Sequence, residues 1–149
     1  MAAKYRITLL LFVLLVVPFA SSQTVLPLVE KNGLFFLSVQ VNERPALLLL
    51  DTGARNTVVA PDAVNSSIDA APIRSGAKLS GLGGPNSAIS ESRIRIELTP
   101  HNPIYVHCGV MKLPDYLKGA DGLVGNDVLS GFRIQIDYKA RSLTLWDSH

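Results

Sequence analysis

Cysteine is almost absent from this chain of 149 residues, which has only Cys108. A single cysteine excludes an intramolecular disulfide, so the protein is not a small secreted scaffold held together by disulfide bonds. Cys108 has no Cys-His spacing typical of a nucleophile, and we expect it to be a small buried apolar residue. The three histidines, His101, His107 and His149, have no metal-ligand spacing either. The sequence therefore predicts no metal site and no cofactor.

Two common enzyme motifs are also missing. No Gly-x-Ser-x-Gly sequence supports a serine hydrolase. The glycines at 81–84 do not complete a dinucleotide-binding fingerprint, because the last glycine is lacking and no βαβ pattern surrounds them.

The charge of the chain is nearly balanced. Residues 1–22 hold two of the 14 basic residues and no acidic one, which leaves 12 basic against 12 acidic residues. This balance gives no indication of nucleic-acid binding.

The N-terminal segment has the pattern of an export signal. Lys4 and Arg6 precede the apolar stretch Ile7–Ala20, and small residues at its end predict cleavage before Gln23. A membrane anchor is the alternative, but an anchor needs about 20 apolar residues and this stretch has 14. We expect 1–22 to be a removed signal peptide. The protein is then periplasmic or secreted, with no stable membrane anchor after cleavage.

Short β-strands dominate the rest of the chain. Apolar and polar residues alternate from Leu34 onward, which predicts a strand with its odd positions in the core. The run Ala46–Leu50 is typical of a fully buried strand, and 126–131 can form one short helix. Many short strands with regular turns predict an all-β, barrel-like fold. We expect 23–33 to be an N-terminal arm and 34–149 to be a single domain.

The most informative motif is Asp51-Thr52-Gly53, directly after that apolar run. A carboxylate at the end of a buried strand is costly unless its surroundings satisfy it or use it. Thr52 supplies a hydroxyl, and Gly53 allows a tight turn with an exposed N–H. These are the parts needed to hold two carboxyl groups together at a symmetric site. The chain has one such motif, so the second copy must come from another chain. The alternative is an aspartate that only caps a strand end.

Two stretches together carry a family resemblance. Leu49-Leu50-Asp51-Thr52-Gly53-Ala54 resembles the active-site motif of retropepsin-type aspartic proteases. About seventy residues later, the stretch from Asp121 to Leu129 resembles the second signature of that family. The closing strands, with Phe132–Tyr138 first, are similar to exported bacterial relatives of the retroviral enzymes. The resemblance implies a closed β-barrel subunit that forms a two-fold dimer.

The resemblance also implies a mechanism. Asp51 from each of two subunits would share one proton, activate a water and protonate the leaving nitrogen. Thr52 hydroxyls would interlock across the two-fold axis, the Gly53 N–H would fix the carboxylate, and Ala54 would line the substrate channel. In the second signature, Leu123, Val124 and Gly125 would support the catalytic loop from beneath.

Two further features of the family are less closely matched. The best candidate for the flap that closes over substrate is the glycine-rich segment Gly81, Leu82, Gly83 and Gly84, although an ordinary flexible loop explains it equally well. Retroviral members often have an acidic residue at the position of Arg55, paired with an arginine after the second-signature glycine. Here Asn126 and Asp127 follow that glycine, and we expect Arg55 to pair with Asp127 with the charges exchanged. The alternative is a solvated surface arginine.

These observations predict a homodimeric aspartic endopeptidase that hydrolyses peptide or protein substrates, with Asp51 as the catalytic residue. Two alternatives stay open. One is a non-catalytic domain of the same fold that binds a peptide or a partner protein. The other is a subunit that is inactive alone and pairs with a different chain.

Overall fold

The computed structural model describes residues 23–64, 90–99 and 102–147. Nine strands are found in these residues: β1 Gln23–Lys31, β2 Leu34–Val41, β3 Arg44–Leu50, β4 Val58–Val59, β5 Ser90–Thr99, β6 Asn102–Val110, β7 Gly122–Val124, β8 Phe132–Asp137 and β9 Ser142–Asp147. One short α-helix, α1, spans Asn126–Leu129, and 3-10 turns cover Pro61–Ala63 and Asp115–Leu117. The predicted all-β fold with one short helix near the C-terminus is confirmed.

Six of the strands close into a barrel. Around the ring the order is β3, β7, β4, β6, β5 and β2, and β2 pairs again with β3. Most neighbours are antiparallel, but β3 is parallel to β7 and β4 is parallel to β6. The parallel β3–β7 pair is important for the site, because both strands then deliver their C-terminal ends to the same place.

Residues 23–33, which we expected to form an arm, are instead an integral strand and a turn. The first half of β1 pairs with β9, and its second half pairs with β2. Asn32 and Gly33, both with positive φ, connect β1 to β2 by the two-residue turn that suits a twisted hairpin. Strand β1 therefore joins the barrel to a small sheet of β1, β9 and β8.

The core explains the two hydrophobic patterns seen in the sequence. Three of the four odd positions of β2, Leu37, Val39 and Val41, are buried as predicted, whereas Phe35 is only partly buried. Phe36, on the other face, is also buried, in a second cluster with Leu49 and Leu123. Strands β2 and β3 are thus covered on both faces at this point, which is why Ala46–Leu50 is continuously apolar.

Several statements concern only the part of the chain that the structure describes. In it, no helix is long and apolar enough to cross a membrane. Nor do its His, Cys, Asp and Glu residues form any group of three that could hold a metal ion. The predicted signal peptide, 1–22, lies outside the described residues.

Candidate active site

Strand β3 ends at Leu50 and delivers Asp51 to a tight loop. The Asp51 N–H donates to the Val124 carbonyl of β7 at 3.2 Å, so the parallel pairing continues into the loop. Asp51 Oδ1 accepts the N–H groups of Gly53 and Ala54, both at 3.0 Å. A Cβ on Gly53 would lie 3.3 Å from that oxygen, which is a tight contact. Glycine therefore lets the carboxylate lie this close to the loop. The main chain therefore fixes one oxygen of Asp51.

The other oxygen of Asp51 accepts no hydrogen bond from any residue that the structure describes. Asp51 is half-buried, whereas Thr52 and Gly53 are exposed. One oxygen is thus held by two backbone donors, and the other is available to a second group. An oriented carboxylate at an exposed loop can accept or donate a proton there.

Strand β7 supports this loop from beneath. Leu123 and Val124, both fully buried, pair with Leu49 and Leu50. Gly125 follows, and a Cβ on it would lie 2.7 Å from the Asn56 carbonyl carbon and 2.9 Å from its oxygen. Since those are main-chain atoms, no side-chain movement could relieve the contact. The structure brings these three residues next to the loop that holds Asp51.

Asp127 does not form the expected ion pair with Arg55. The two residues meet through the main chain, where the Asp127 N–H donates to the Arg55 carbonyl at 3.1 Å. The Asp127 carboxylate instead accepts the Thr57 N–H at 2.8 Å and the Thr57 hydroxyl at 2.7 Å. No salt bridge of Arg55 occurs among the residues described. The physical reason is that two aligned donors on one neighbour satisfy both oxygens of the carboxylate.

Thr57 connects the two halves of the site. Its side chain is fully buried, and its hydroxyl accepts the Gly125 N–H at 3.1 Å while donating to Asp127. This chain of hydrogen bonds runs from the loop after β3 to the start of α1. Our sequence reasoning missed Thr57. The sequence offered one signal, which is a small residue with a hydroxyl group six positions after Asp51 and directly before β4.

Asn126 is a second residue that sequence reasoning did not place in the site. Its side-chain amide donates to the Thr52 carbonyl at 2.9 Å, and its N–H donates to the Ala54 carbonyl at 2.9 Å. Both contacts hold the Asp51 loop against α1. Asp121 acts similarly at the other end of β7, where its carboxylate accepts the Leu47 N–H at 2.7 Å.

Cys108 lies in the core near this network. Burial, and to a smaller extent the Asp127 carboxylate, raises the pKa of the Cys108 thiol from the ordinary 9.0 to about 12. A neutral, enclosed thiol is not a nucleophile. The structure therefore agrees with its expected role as a small apolar residue.

A pocket of about 260 Å³ opens beside the loop. Its lining includes Leu50 and Thr52 together with Phe35, Ile136 and Tyr138. The rings of Phe35 and Tyr138 are 5.1 Å apart and tilted by 49°. The end of β8 therefore lies near Thr52, in the exposed part of the Asp51 loop. The candidate flap, Gly81–Gly84, lies outside the described residues.

Comparison with known proteins agrees with this geometry. The family model described as retroviral aspartyl protease matches residues 30–137. No curated protein matches the chain significantly.

Three solved structures show the same fold. A retropepsin-like aspartic protease from Rickettsia conorii is 14% identical, with a TM-score of 0.56, over 85% of this chain and 91% of that one. The EIAV protease, in complex with the inhibitor HBY-793, is 24% identical, with a TM-score of 0.50, over 68% and 92%. The retroviral protease-like domain of Ddi1 from Leishmania major is 17% identical, with a TM-score of 0.50, over 77% and 90%.

Proposed function

Because the chain belongs to the retroviral aspartyl protease family, we propose that it is an aspartic endopeptidase that acts as a homodimer. Asp51 of each subunit supplies one carboxyl group of the catalytic pair. The observation that carries the proposal is the geometry of the Asp51 carboxylate. One oxygen is held by the N–H groups of Gly53 and Ala54, and the other has no partner in the described residues.

Electrostatics defines what such a pair does. Two carboxylates in contact cannot both ionise at low cost, so the pair holds one proton, as is known for aspartic-protease dyads. The ionised Asp51 takes a proton from a water molecule, whose oxygen bonds to the peptide carbonyl carbon. The protonated Asp51 hydrogen-bonds the oxygen that becomes negative. The C–N bond then breaks, and the nitrogen leaves with a proton from the pair.

The surrounding residues hold this geometry. Thr52, exposed in the single chain, meets its counterpart across the two-fold axis, and Ala54 faces the substrate channel. The loop is held in position by the buried residues beneath it, Leu123, Val124 and Gly125. The substrate is an extended peptide or protein segment that reaches the loop from the exposed side. The proposal also includes that the segment Gly81–Gly84 closes over the bound substrate.

The decisive experiment measures cleavage of an unstructured protein from pH 3 to 7. The purified protein is compared with Asp51→Asn and with Asp62→Asn, which changes an exposed carboxylate in the 3-10 turn after β4. We expect cleavage that is lost in Asp51→Asn, kept in Asp62→Asn, and blocked by an inhibitor that mimics the tetrahedral intermediate. Circular dichroism confirms that the variants are folded. Equal activity of the wild type and Asp51→Asn would refute the proposal.

A second candidate is a non-catalytic domain that binds a peptide or a partner in the same groove. The exposed, pre-formed loop is compatible with it. A folded dimer that cleaves nothing but binds peptides, with affinity unchanged by Asp51→Asn, would favour this candidate. Peptide cleavage that is seen only after a different chain is added would favour a heterodimer.

Export is also part of the proposal. Cleavage after Ser22 would place the mature N-terminus at Gln23, the first residue of β1. N-terminal sequencing of the protein recovered outside the cytoplasm tests this. A chain that retains its apolar segment and stays with the membrane would support the anchor instead.

A further inference from the structure

Arg55 is a cation without an ionic partner in the part of the chain that the structure describes. It is exposed and follows the Asp51 loop directly. No salt bridge among the described residues includes it. The carboxylate that we expected it to bind, that of Asp127, accepts two hydrogen bonds from Thr57 instead. The guanidinium of Arg55 is therefore available to an anionic group from outside the chain.

The main chain around Arg55 determines the side from which its side chain extends. The Arg55 carbonyl accepts the Asp127 N–H at 3.1 Å. The carbonyl before it, that of Ala54, accepts the Asn126 N–H at 2.9 Å. The start of α1 thus covers the inner side of this segment with its own main chain. Since the Arg55 side chain is exposed, it extends from the outer side, as does the exposed part of the Asp51 loop.

Arg55 lies within reach of a peptide that is bound at Asp51. The Ala54 nitrogen is 3.0 Å from Asp51 Oδ1, so the next Cα, that of Arg55, lies within about 8 Å of this oxygen by standard backbone dimensions. An extended peptide advances by about 3.3 Å per residue. The guanidinium of Arg55 therefore lies beside the second or third residue from the peptide bond that is cleaved.

We propose that Arg55 makes the enzyme select peptides that have an acidic side chain two or three residues from the cleaved bond. This inference rests on the proposed function, since it names the class of substrate that the Asp51 site takes. The two-fold axis of the proposed dimer supplies one Arg55 on each side of the bond, so acidic residues are favoured on both sides. A guanidinium holds a carboxylate through two parallel N–H···O bonds, which a neutral amide does not reproduce.

The charge of the catalytic pair makes this selection depend on Arg55. The two Asp51 residues hold one proton between them, so the pair carries one negative charge. That charge repels an acidic substrate side chain, and the exposed Asp127 adds a weaker, screened repulsion. The attraction to Arg55 acts at contact distance and outweighs both, because Coulomb energy falls with distance. Without Arg55, a neutral side chain should be preferred over an acidic one.

The sites cut in a proteome-derived peptide mixture test the proposal. Mass spectrometry of the products counts acidic and amide residues within three positions of each cut for the wild type, Arg55→Gln and Arg44→Gln. Arg44 is the matched control, because it is exposed at the end of β3 opposite to Asp51. We expect at least threefold enrichment of acidic residues with the wild type and Arg44→Gln, and none with Arg55→Gln. Arg55→Glu should enrich lysine and arginine. A profile that Arg55→Gln leaves unchanged would overturn the proposal.

The pH dependence of the selection gives a second readout. The kcat/KM of a cleaved peptide with glutamate is divided by that of its glutamine counterpart at each pH from 3 to 7. The ionisation of the Asp51 pair cancels in this ratio, because one enzyme acts on both peptides. The ratio should be at least fivefold at pH 6 and fall to about one at pH 3, where a glutamate with the ordinary pKa of about 4.3 is protonated. A ratio that does not change with pH would show that the charge is not recognised.

The proposal on Arg55 and the proposed protease fail separately. Cleavage that depends on Asp51 but shows no acidic preference would refute the role of Arg55 and leave the protease. A protein that cleaves nothing would refute the protease. Fluorescence anisotropy then compares its binding of labelled peptides whose apolar centre is flanked by glutamate or by glutamine at the third residue on each side. Tighter binding of the glutamate peptide that Arg55→Gln abolishes would support the site, and no difference between the peptides would overturn it.

A contact between subunits is the competing role for Arg55. Sedimentation of Arg55→Gln distinguishes it, because a residue that binds substrate leaves the dimer unchanged. A variant that dissociates into monomers, while its remaining activity keeps the acidic preference, would assign Arg55 to the subunit contact and overturn the proposal.

Discussion

Replacing Thr57 by valine should destabilise the protein by about 3 kcal/mol, although the shape of the side chain hardly changes. The variant loses the hydrogen bond from the hydroxyl to Asp127, worth about 1 kcal/mol because Asp127 is exposed to solvent. It also leaves the buried Gly125 N–H without its acceptor, at a cost of about 1–3 kcal/mol. The second contribution dominates because no water replaces a hydroxyl at a fully buried position.

Urea unfolding at one fixed protein concentration measures this, because the apparent stability of a dimer depends on concentration. With a slope of about 2 kcal/mol/M, the midpoint of Thr57→Val should fall by about 1.5 M. Thr57→Ser is the matched control. It keeps the hydroxyl and loses one buried methyl group, so it should cost only about 1 kcal/mol. A Thr57→Ser variant as unstable as Thr57→Val would show that packing, and not the hydrogen-bond chain, holds the two halves of the site together.

Two further changes and one reactivity measurement test the same region. Gly125→Ala should cost about 1–3 kcal/mol and reduce cleavage, because its Cβ would meet the Asn56 main chain; unchanged unfolding and activity would contradict the geometry. Asn126→Ala should lower kcat about fivefold with little change in Tm, because the Thr52 carbonyl that loses its hydrogen-bond donor is exposed to water. A large loss of Tm with normal kcat would make Asn126 a purely structural residue. Cys108 should react with a thiol reagent at pH 8 about a thousandfold more slowly in the folded than in the unfolded protein. The reason is that a pKa of about 12 in place of 9.0 lowers the thiolate fraction by that factor. Equal rates in the two states would mean that the thiol is accessible.

The sequence predicted the features that are local or strongly periodic. The alternation in β2 and the apolar run before Asp51 reflect burial, which acts on each residue separately and leaves a pattern in the chain. The short helix after Gly125 was also expected. Strand β1 was not expected, because its outer positions are exposed and Pro27 interrupts the pattern. Pro27 is tolerated since its position opposite Ser142 needs no N–H. That fact depends on register, which the sequence alone does not show.

The partner of Asp127 illustrates why the rest of the site could not be predicted. The family resemblance suggested Arg55, because retroviral members often pair an acidic residue at this position with an arginine after the second-signature glycine, and here the charges are exchanged. An exposed ion pair stabilises a protein by about 0–1 kcal/mol. The two hydrogen bonds from Thr57 to Asp127 together contribute more, because one of them satisfies a main-chain N–H that needs an acceptor. The choice depends on where Thr57 lies once β4 has paired with β7. A double change, Arg55→Asp with Asp127→Arg, should therefore be no more stable than the sum of its single changes predicts, and rescue by the double variant would show that the charges do interact.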